Sequence, residues 1–143
     1  MQIFSEIIGT FLDSQNSGFQ EKMDAEIPAP QILDEILEQY KKEMADAENS
    51  LSMAIYEYFS SRKKEESDDY LTKQYKDSFH SWEMLIQYGI SRGEFREADA
   101  VGIFDLLIFA YQGVRMYSRI MNIDKWIPER ITEQIKNMLI IKR

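Results

Sequence analysis

The segment that most restricts how this chain can fold is an almost wholly apolar helix predicted near its C-terminus. Residues 100–121 read AVGIFDLLIFAYQGVRMYSRIM. On a helical wheel, Asp105, Gln112 and Arg119 lie on one line with Arg115 beside it, and apolar residues occupy most of the remaining circumference. A helix on the surface of a globular protein needs an apolar arc of only about 100°. This helix is therefore predicted to be buried on two sides.

A second amphipathic helix is predicted over residues 128–141, and it can take part in covering the apolar sides of helix 100–121. In a domain this small, one side of helix 100–121 can face its own core and the other a second copy, so that two helices from each chain form a four-helix interface with two-fold symmetry. The alternative interpretation is that helix 100–121 forms the centre of a monomeric bundle. The pattern leaves open which face would meet the partner. The predicted interface residues are Phe104, Leu107, Tyr111, Val114, Ile131, Ile135, Met138 and Leu139.

The remainder of the chain also shows helical periodicity, which predicts an all-α bundle of five to six helices. Apolar residues recur at helical spacing, and an alternation of period two is nowhere sustained. Besides the two C-terminal helices, we predict helices over residues 2–15, from Pro28 to about residue 44, over 51–59 after a bend near Asn49, and from an N-cap at Ser67 to about Gly89. Residues 16–18 and 63–66 are predicted to be connections. These elements are expected to form one domain over residues 1–143.

The stretch YGISRGEFREADA, residues 88–100, separates two of these helices. Gly93 suits the left-handed position that ends a helix, and Arg92 lies favourably near the negative end of the helix dipole. Asp99 is the predicted N-cap of the next helix. A connection this short predicts that the two helices run antiparallel.

Composition excludes several classes of function. The chain carries 17 basic and 25 acidic residues, a net charge of −8, and an acidic chain repels phosphates. We therefore expect it to bind no nucleic acid by itself. The absence of cysteine excludes disulfides, thiolate metal sites and a cysteine nucleophile, and it fits a cytoplasmic location. The N-terminus does not read as a signal peptide, and no apolar run approaches the ~20 residues of a membrane span, so no membrane partner is expected.

The sequence also argues against an enzyme and against a cofactor or metal ion. His80 is the only histidine, and the nearby Ser78 and Ser81 do not make a nucleophile–base arrangement. No glycine-rich loop for phosphates occurs. Asp77 and Glu83 could share a cation with His80, but zinc sites usually gather more imidazole or thiolate. We interpret His80 as an ordinary exposed or half-buried side chain.

Several motifs, in their order along the chain, resemble the C-terminal regulatory domain of TetR-family transcriptional repressors. They are APQILDEILEQY (29–40), the aromatic helix through Trp82, YGISRGEF, Asp99, the long apolar helix with AYQG (110–113), and a last amphipathic helix. The resemblance implies a homodimeric helical cup that senses a small apolar or amphiphilic effector and couples it to DNA release. Family members begin with a helix-turn-helix unit, and none precedes Met1 here, so DNA contact is expected only through a domain that this sequence does not include. The alternative is a stand-alone helical module for protein–protein interaction without a small-molecule ligand.

The predicted effector site is lined by aromatic and methionine side chains on the inward-looking helical stripes, with two polar residues. Methionine supplies adaptable walls, and tyrosine and tryptophan combine an apolar body with a polar tip. The charge of Arg115 must be paired or must meet an anionic ligand, and Gln112 could bind the effector or a neighbouring helix. The same stripes also fit an ordinary core. The residues are Tyr40, Met44, Tyr58, Phe59, Tyr75, Phe79, Trp82, Phe109, Gln112, Arg115 and Met116.

Overall fold

The computed structural model describes residues 18–45, 57, 58, 61 and 64–141, and these residues are almost entirely helical. The elements are α1 (18–24), α2 (Ala29–Ala45), α3 (Lys64–Ser91), α4 (Ala100–Tyr117) and α5 (Ile127–Leu139), and residues 57 and 58 are also helical. The prediction of an all-α fold is confirmed. The predicted helix over residues 2–15 and the bend near Asn49 lie outside the described residues, as does most of the predicted helix over 51–59.

Several element boundaries differ from the predicted ones. Helix α1 was not expected, and it forms because Phe19 and Met23, one turn apart, are both buried. Residues 64–66 belong to α3 and do not form a connection, so Ser67 lies within that helix and is not its N-cap. Lysine and glutamate are good helix formers, which allows α3 to begin early. Helices α4 and α5 end at Tyr117 and Leu139, slightly before their predicted ends.

One hydrophobic core extends from α1 to α5. Helix α2 packs against α3, α4 and α5, and α4 packs against α3 and α5. The side chains with the least exposed surface come from all four long helices, and they include Leu37, Trp82, Phe104 and Leu139. A smaller cluster of Met44, Tyr111 and Val114 lies where the C-terminal halves of α2 and α4 approach the start of α5. Helix α4 therefore contributes its N-terminal half to the main core and its C-terminal half to the smaller cluster.

The connection between α3 and α4 joins three helix ends. Gly93 has a φ angle of +72°, as predicted for the residue that ends α3, and the N–H of Phe95 donates to the carbonyl of Gly89 at 3.0 Å. The Glu94 carboxylate accepts from the N–H of Ala29 at 3.3 Å and thereby satisfies a free donor at the start of α2. Phe95 also forms an isolated antiparallel bridge with Ile140, just after α5. The motif G-E-F thus ties the ends of α2, α3 and α5 together.

The start of α4 confirms the predicted N-cap. The side chain of Asp99 accepts from the N–H of Gly102 at 3.2 Å. A Cβ atom at position 102 would lie 2.8 Å from Oδ2 of Asp99, so glycine at this position leaves room for the cap.

Candidate effector site and subunit surface

A group of hydrogen-bonded aromatic side chains lies between α2, α3 and α4. Nε1 of Trp82 donates to the hydroxyl of Tyr40 at 3.4 Å, and the rings of Tyr40 and Tyr111 meet edge to face with centroids 4.8 Å apart. The Tyr111 hydroxyl donates to the carboxylate of Glu43 at 2.6 Å. Burial raises the pKa of the Tyr40 phenol to about 12, so Tyr40 stays neutral throughout the physiological range.

Arg115 adds a positive charge to this group. Its side chain is 2% exposed, and its guanidinium carbon lies 4.7 Å from the ring centroid of Tyr111, a cation–π distance. Nη1 of Arg115 also donates weakly to Oε1 of Gln112 at 3.4 Å. We call Tyr40, Glu43, Trp82, Tyr111 and Arg115 the polar–aromatic cluster. It combines aromatic faces with groups of both charges, a set suited to orienting the polar end of an apolar molecule.

The structure brings together five of the residues predicted to line an effector site and places others apart from them. Tyr40, Met44, Trp82, Gln112 and Arg115 lie in or beside the polar–aromatic cluster. Tyr75 and Phe79 pack instead on Phe104, with ring centroids 5.4 Å and 5.8 Å from it. Tyr58 is half-buried, and Phe59 lies outside the described residues.

Two of the predicted lining residues lie on the outside of the molecule. Phe109 is 65% exposed and Met116 is 39% exposed. Both belong to the apolar helix α4, whose composition did not indicate which of its apolar arcs faces inward. Their assignment to an interior site within one chain is therefore corrected.

Two members of the polar–aromatic cluster were missed as site residues. Glu43 was not singled out, and Tyr111 was assigned to the subunit interface. Glu43 lies one turn after Tyr40, and Tyr111 one turn before Arg115, so each shares a helix face with a residue that was predicted. Such spacing is the only signal in the sequence that pointed to them.

The residues predicted for a subunit interface lie mainly in the core of a single chain. Six of the eight are buried there, and the two others, Ile131 and Met138, are partly buried against the same core. A side chain that is buried within one chain cannot contact a partner. Any interface on α4 would therefore use the exposed face of the helix. The six buried residues are Phe104, Leu107, Tyr111, Val114, Ile135 and Leu139.

Large apolar side chains line the opposite side of α4. Leu106 is 61% exposed, Tyr117 is 56% exposed, and Ile120, in the turn that follows the helix, is 77% exposed. Positions 106, 109, 113, 116 and 120 alternate steps of three and four residues, the spacing of a coiled-coil seam. Contiguous exposed apolar surface of this kind marks an interaction site. We call Leu106, Phe109, Ala110, Gly113, Met116, Tyr117 and Ile120 the outer face of α4.

Comparison with known proteins identifies the family. The family model described as Tetracyclin repressor-like, C-terminal domain, matches residues 32–139, which include most of α2 and all of α3, α4 and α5. The chain belongs to this family. Tetracyclin repressor-like C-terminal domains are regulatory domains of transcriptional regulators, and this type of domain typically dimerises and binds small molecules. No curated protein and no solved structure gave a significant match.

Two features of the described residues bear on the class of site. In residues 18–45 and 64–141, together with the few described between them, no group of three or more histidine, aspartate or glutamate side chains could hold a metal ion. No described helix has the length and apolarity needed to cross a membrane.

Proposed function

We propose that this tetracyclin repressor-like domain senses a small amphiphilic effector and forms the homodimer of a cytoplasmic transcriptional repressor. The family match and one structural observation support the proposal. Helix α4 carries Tyr111 and Arg115 of the polar–aromatic cluster on its inner side and large exposed apolar residues on its outer face. A single helix therefore links a candidate effector site to a candidate subunit surface.

This arrangement suggests how an effector would act. A molecule that inserted its apolar part between Tyr40 and Tyr111 and its polar end near Glu43 or Arg115 would displace α4. The displacement would change the relative orientation of the two subunits, which is the coupling that allostery requires. Because half-sites on DNA are read at a fixed spacing, a small rotation of the subunits would detach from DNA the helix-turn-helix units that the repressor would carry in a domain this sequence does not include.

Effector binding can be measured through the emission of Trp82. A Trp126→Phe variant removes the only other tryptophan, which is 56% exposed. In this background, we expect 1-anilinonaphthalene-8-sulfonate to bind saturably, with about one molecule per chain, and to quench Trp82. The probe is amphiphilic and carries one negative charge, which suits a site with aromatic walls and an arginine.

Two matched variants locate the binding site. Tyr111→Phe removes the hydroxyl that donates to Glu43, and we expect it to weaken probe binding several-fold. Tyr117→Phe makes the same change on the outer face and should leave binding unchanged. Unsaturable binding, or equal affinities in the two variants, would contradict a site at the polar–aromatic cluster and would favour an interaction module without a small ligand.

Dimerisation through the outer face of α4 can be tested at Leu106. This side chain is 61% exposed in one chain, so Leu106→Glu should leave the fold intact. In a dimer, it would place a desolvated carboxylate at the interface, and we expect the variant to be monomeric in analytical ultracentrifugation. Gln134→Glu, which adds the same charge at an exposed position of α5, is the control for net charge. Equal self-association of the wild type and Leu106→Glu would count against this surface.

A further inference from the structure

We infer that the ion pair between Lys41 and Glu129 is a latch that closes the polar–aromatic cluster against molecules from the solvent. As a statement about effector entry, the inference rests on the proposed function, and it adds the contact that has to open first. Two ion pairs join α2 to α5, and only this one lies beside a residue of the cluster, Tyr40.

Helices α2 and α5 are joined by two lysines in a reciprocal arrangement. Nζ of Lys41 on α2 lies 3.0 Å from the carboxylate of Glu129 on α5, and Nζ of Lys136 on α5 lies 3.0 Å from the carboxylate of Asp34 on α2. Each lysine also lies close to a glutamate three residues earlier on its own helix, at 2.6 Å for Lys41 and 3.7 Å for Lys136. The two lysine side chains are 19% and 21% exposed, so water and salt screen both pairs to a similar degree.

The Lys41 pair lies at the edge of the candidate effector site. Lys41 directly follows Tyr40, and Glu129 lies in the first turn of α5. Ile127 and Ile131, two residues on either side of Glu129, pack against the smaller apolar cluster, to which both α2 and α4 contribute. The start of α5 is therefore held against α4 by apolar contacts and against α2 by the ion pair.

A molecule that enters the polar–aromatic cluster has to separate α2 from α4. Trp82 is 1% exposed and Tyr111 is 5% exposed, and the rings of Tyr40 and Tyr111 are in edge-to-face contact. Insertion between these two rings requires the C-terminal half of α2 to move away from α4. Because α5 packs on both helices and Lys41 joins it to α2, breaking this ion pair would free α2 for the movement.

The Lys136 pair provides a matched comparison. It joins the same two helices with the same chemical groups, and it lies seven residues away on each helix, about 10 Å further along the helix axes. Lys41→Met and Lys136→Met each keep an aliphatic side chain, remove one positive charge and leave two carboxylates without their lysine. The two variants should lose similar amounts of stability, whereas only Lys41→Met should open the cluster.

Acrylamide quenching of Trp82 measures access to the cluster without an effector. In the full chain carrying Trp126→Phe, this small neutral molecule reports how often the solvent reaches Trp82. Since a partly exposed ion pair changes an equilibrium by a factor of about two to five, we expect Lys41→Met to raise the quenching constant by about that factor. Lys136→Met should leave the constant unchanged, and so should Lys41→Arg, which keeps the charge. In stopped-flow measurements, 1-anilinonaphthalene-8-sulfonate should likewise associate faster with Lys41→Met alone.

The outcomes separate the latch from the proposed effector site. Equal quenching in the wild type and Lys41→Met, or equal increases in both methionine variants, would overturn the latch, while saturable binding of the sulfonate would leave the effector site in place. If Lys41→Met raises the quenching constant and the sulfonate does not bind saturably, Lys41 controls access to Trp82 and the proposed site is wrong. A much lower thermal unfolding midpoint for Lys41→Met than for Lys136→Met would assign the effect to a general loosening of the fold and would also overturn the latch.

Discussion

Replacing Leu107 with glutamate should prevent the chain from folding. Leu107 has no exposed surface and lies in the main core, between α4 and the helices that pack on it. A carboxylate at this position would lose its hydration without gaining a partner, which we expect to cost more than about 4 kcal/mol. Since natural domains are stable by only about 5–15 kcal/mol, that loss would remove most of the stability of the fold. Far-ultraviolet circular dichroism and its thermal transition would measure the effect.

The neighbouring residue provides the control for this prediction. Leu106→Glu makes the same chemical change one residue earlier on α4, at a side chain that is 61% exposed. It should keep the circular dichroism of the wild type and change only self-association. The two variants together test which side of α4 faces inward. If both unfold, or if both remain folded with similar transition midpoints, the orientation of α4 described above is contradicted.

The features of the fold that could be predicted are those set by local interactions. The helical period identified the all-α class, and the motif around Gly93 and Asp99 identified the end of one helix and the start of the next. In each case, residues within one or two turns determine the outcome, because a left-handed glycine and a capping carboxylate act on adjacent backbone groups. The boundary at Ser67 was wrong because two kinds of local preference competed there: a good N-cap residue followed a run of good helix formers.

The orientation of α4 could not be predicted because its sequence is apolar on both sides. The polar line through Asp105 and Gln112 was the only directional mark on the wheel, and in the structure it lies between the inner and outer faces. Asp105 is half-buried and accepts a hydrogen bond from the hydroxyl of Tyr75 on α3. A polar residue that is satisfied by a neighbouring helix does not mark the solvent side. The interface residues were therefore assigned to the arc that faces the chain's own core.

The candidate site was predicted where residues lie on one stripe and missed where contacts join distant parts of the chain. Tyr40 and Met44 share the inward stripe of α2, which the helical period reveals. The hydrogen bond from Tyr111 to Glu43 joins residues 68 positions apart, and neither residue indicates the other in the sequence. A glutamate beside an apolar stripe is usually a solvated residue, so its partner across the fold was needed to recognise its role.

Replacing Gly89 with alanine should destabilise the fold, although alanine normally favours a helix. In an exposed helix, the exchange would stabilise by about 1 kcal/mol. At Gly89, however, the new Cβ atom would lie 2.2 Å from Cδ2 of Phe95, closer than non-bonded carbon atoms can approach. Phe95 is 2% exposed and cannot withdraw freely, because its N–H donates to the carbonyl of Gly89 and its backbone pairs with Ile140. We expect a net loss of about 2–3 kcal/mol in the free energy of unfolding, measured by urea denaturation.

A double variant tests whether the ring of Phe95 causes this loss. Phe95→Leu alone should destabilise the fold, because it removes part of a buried ring. When it is combined with Gly89→Ala, however, the total loss should be smaller than the sum of the two, since the smaller side chain makes room for the methyl group. Gly18→Ala, where no described atom lies within 4 Å of the Cβ position, should cause no loss. Additive losses, or stabilisation by Gly89→Ala, would mean that α3 and the connection to α4 do not pack as closely as the contact between Gly89 and Phe95 requires. The joining of three helix ends by the G-E-F motif would then have to depend on its hydrogen bonds and not on the packing of the Phe95 ring.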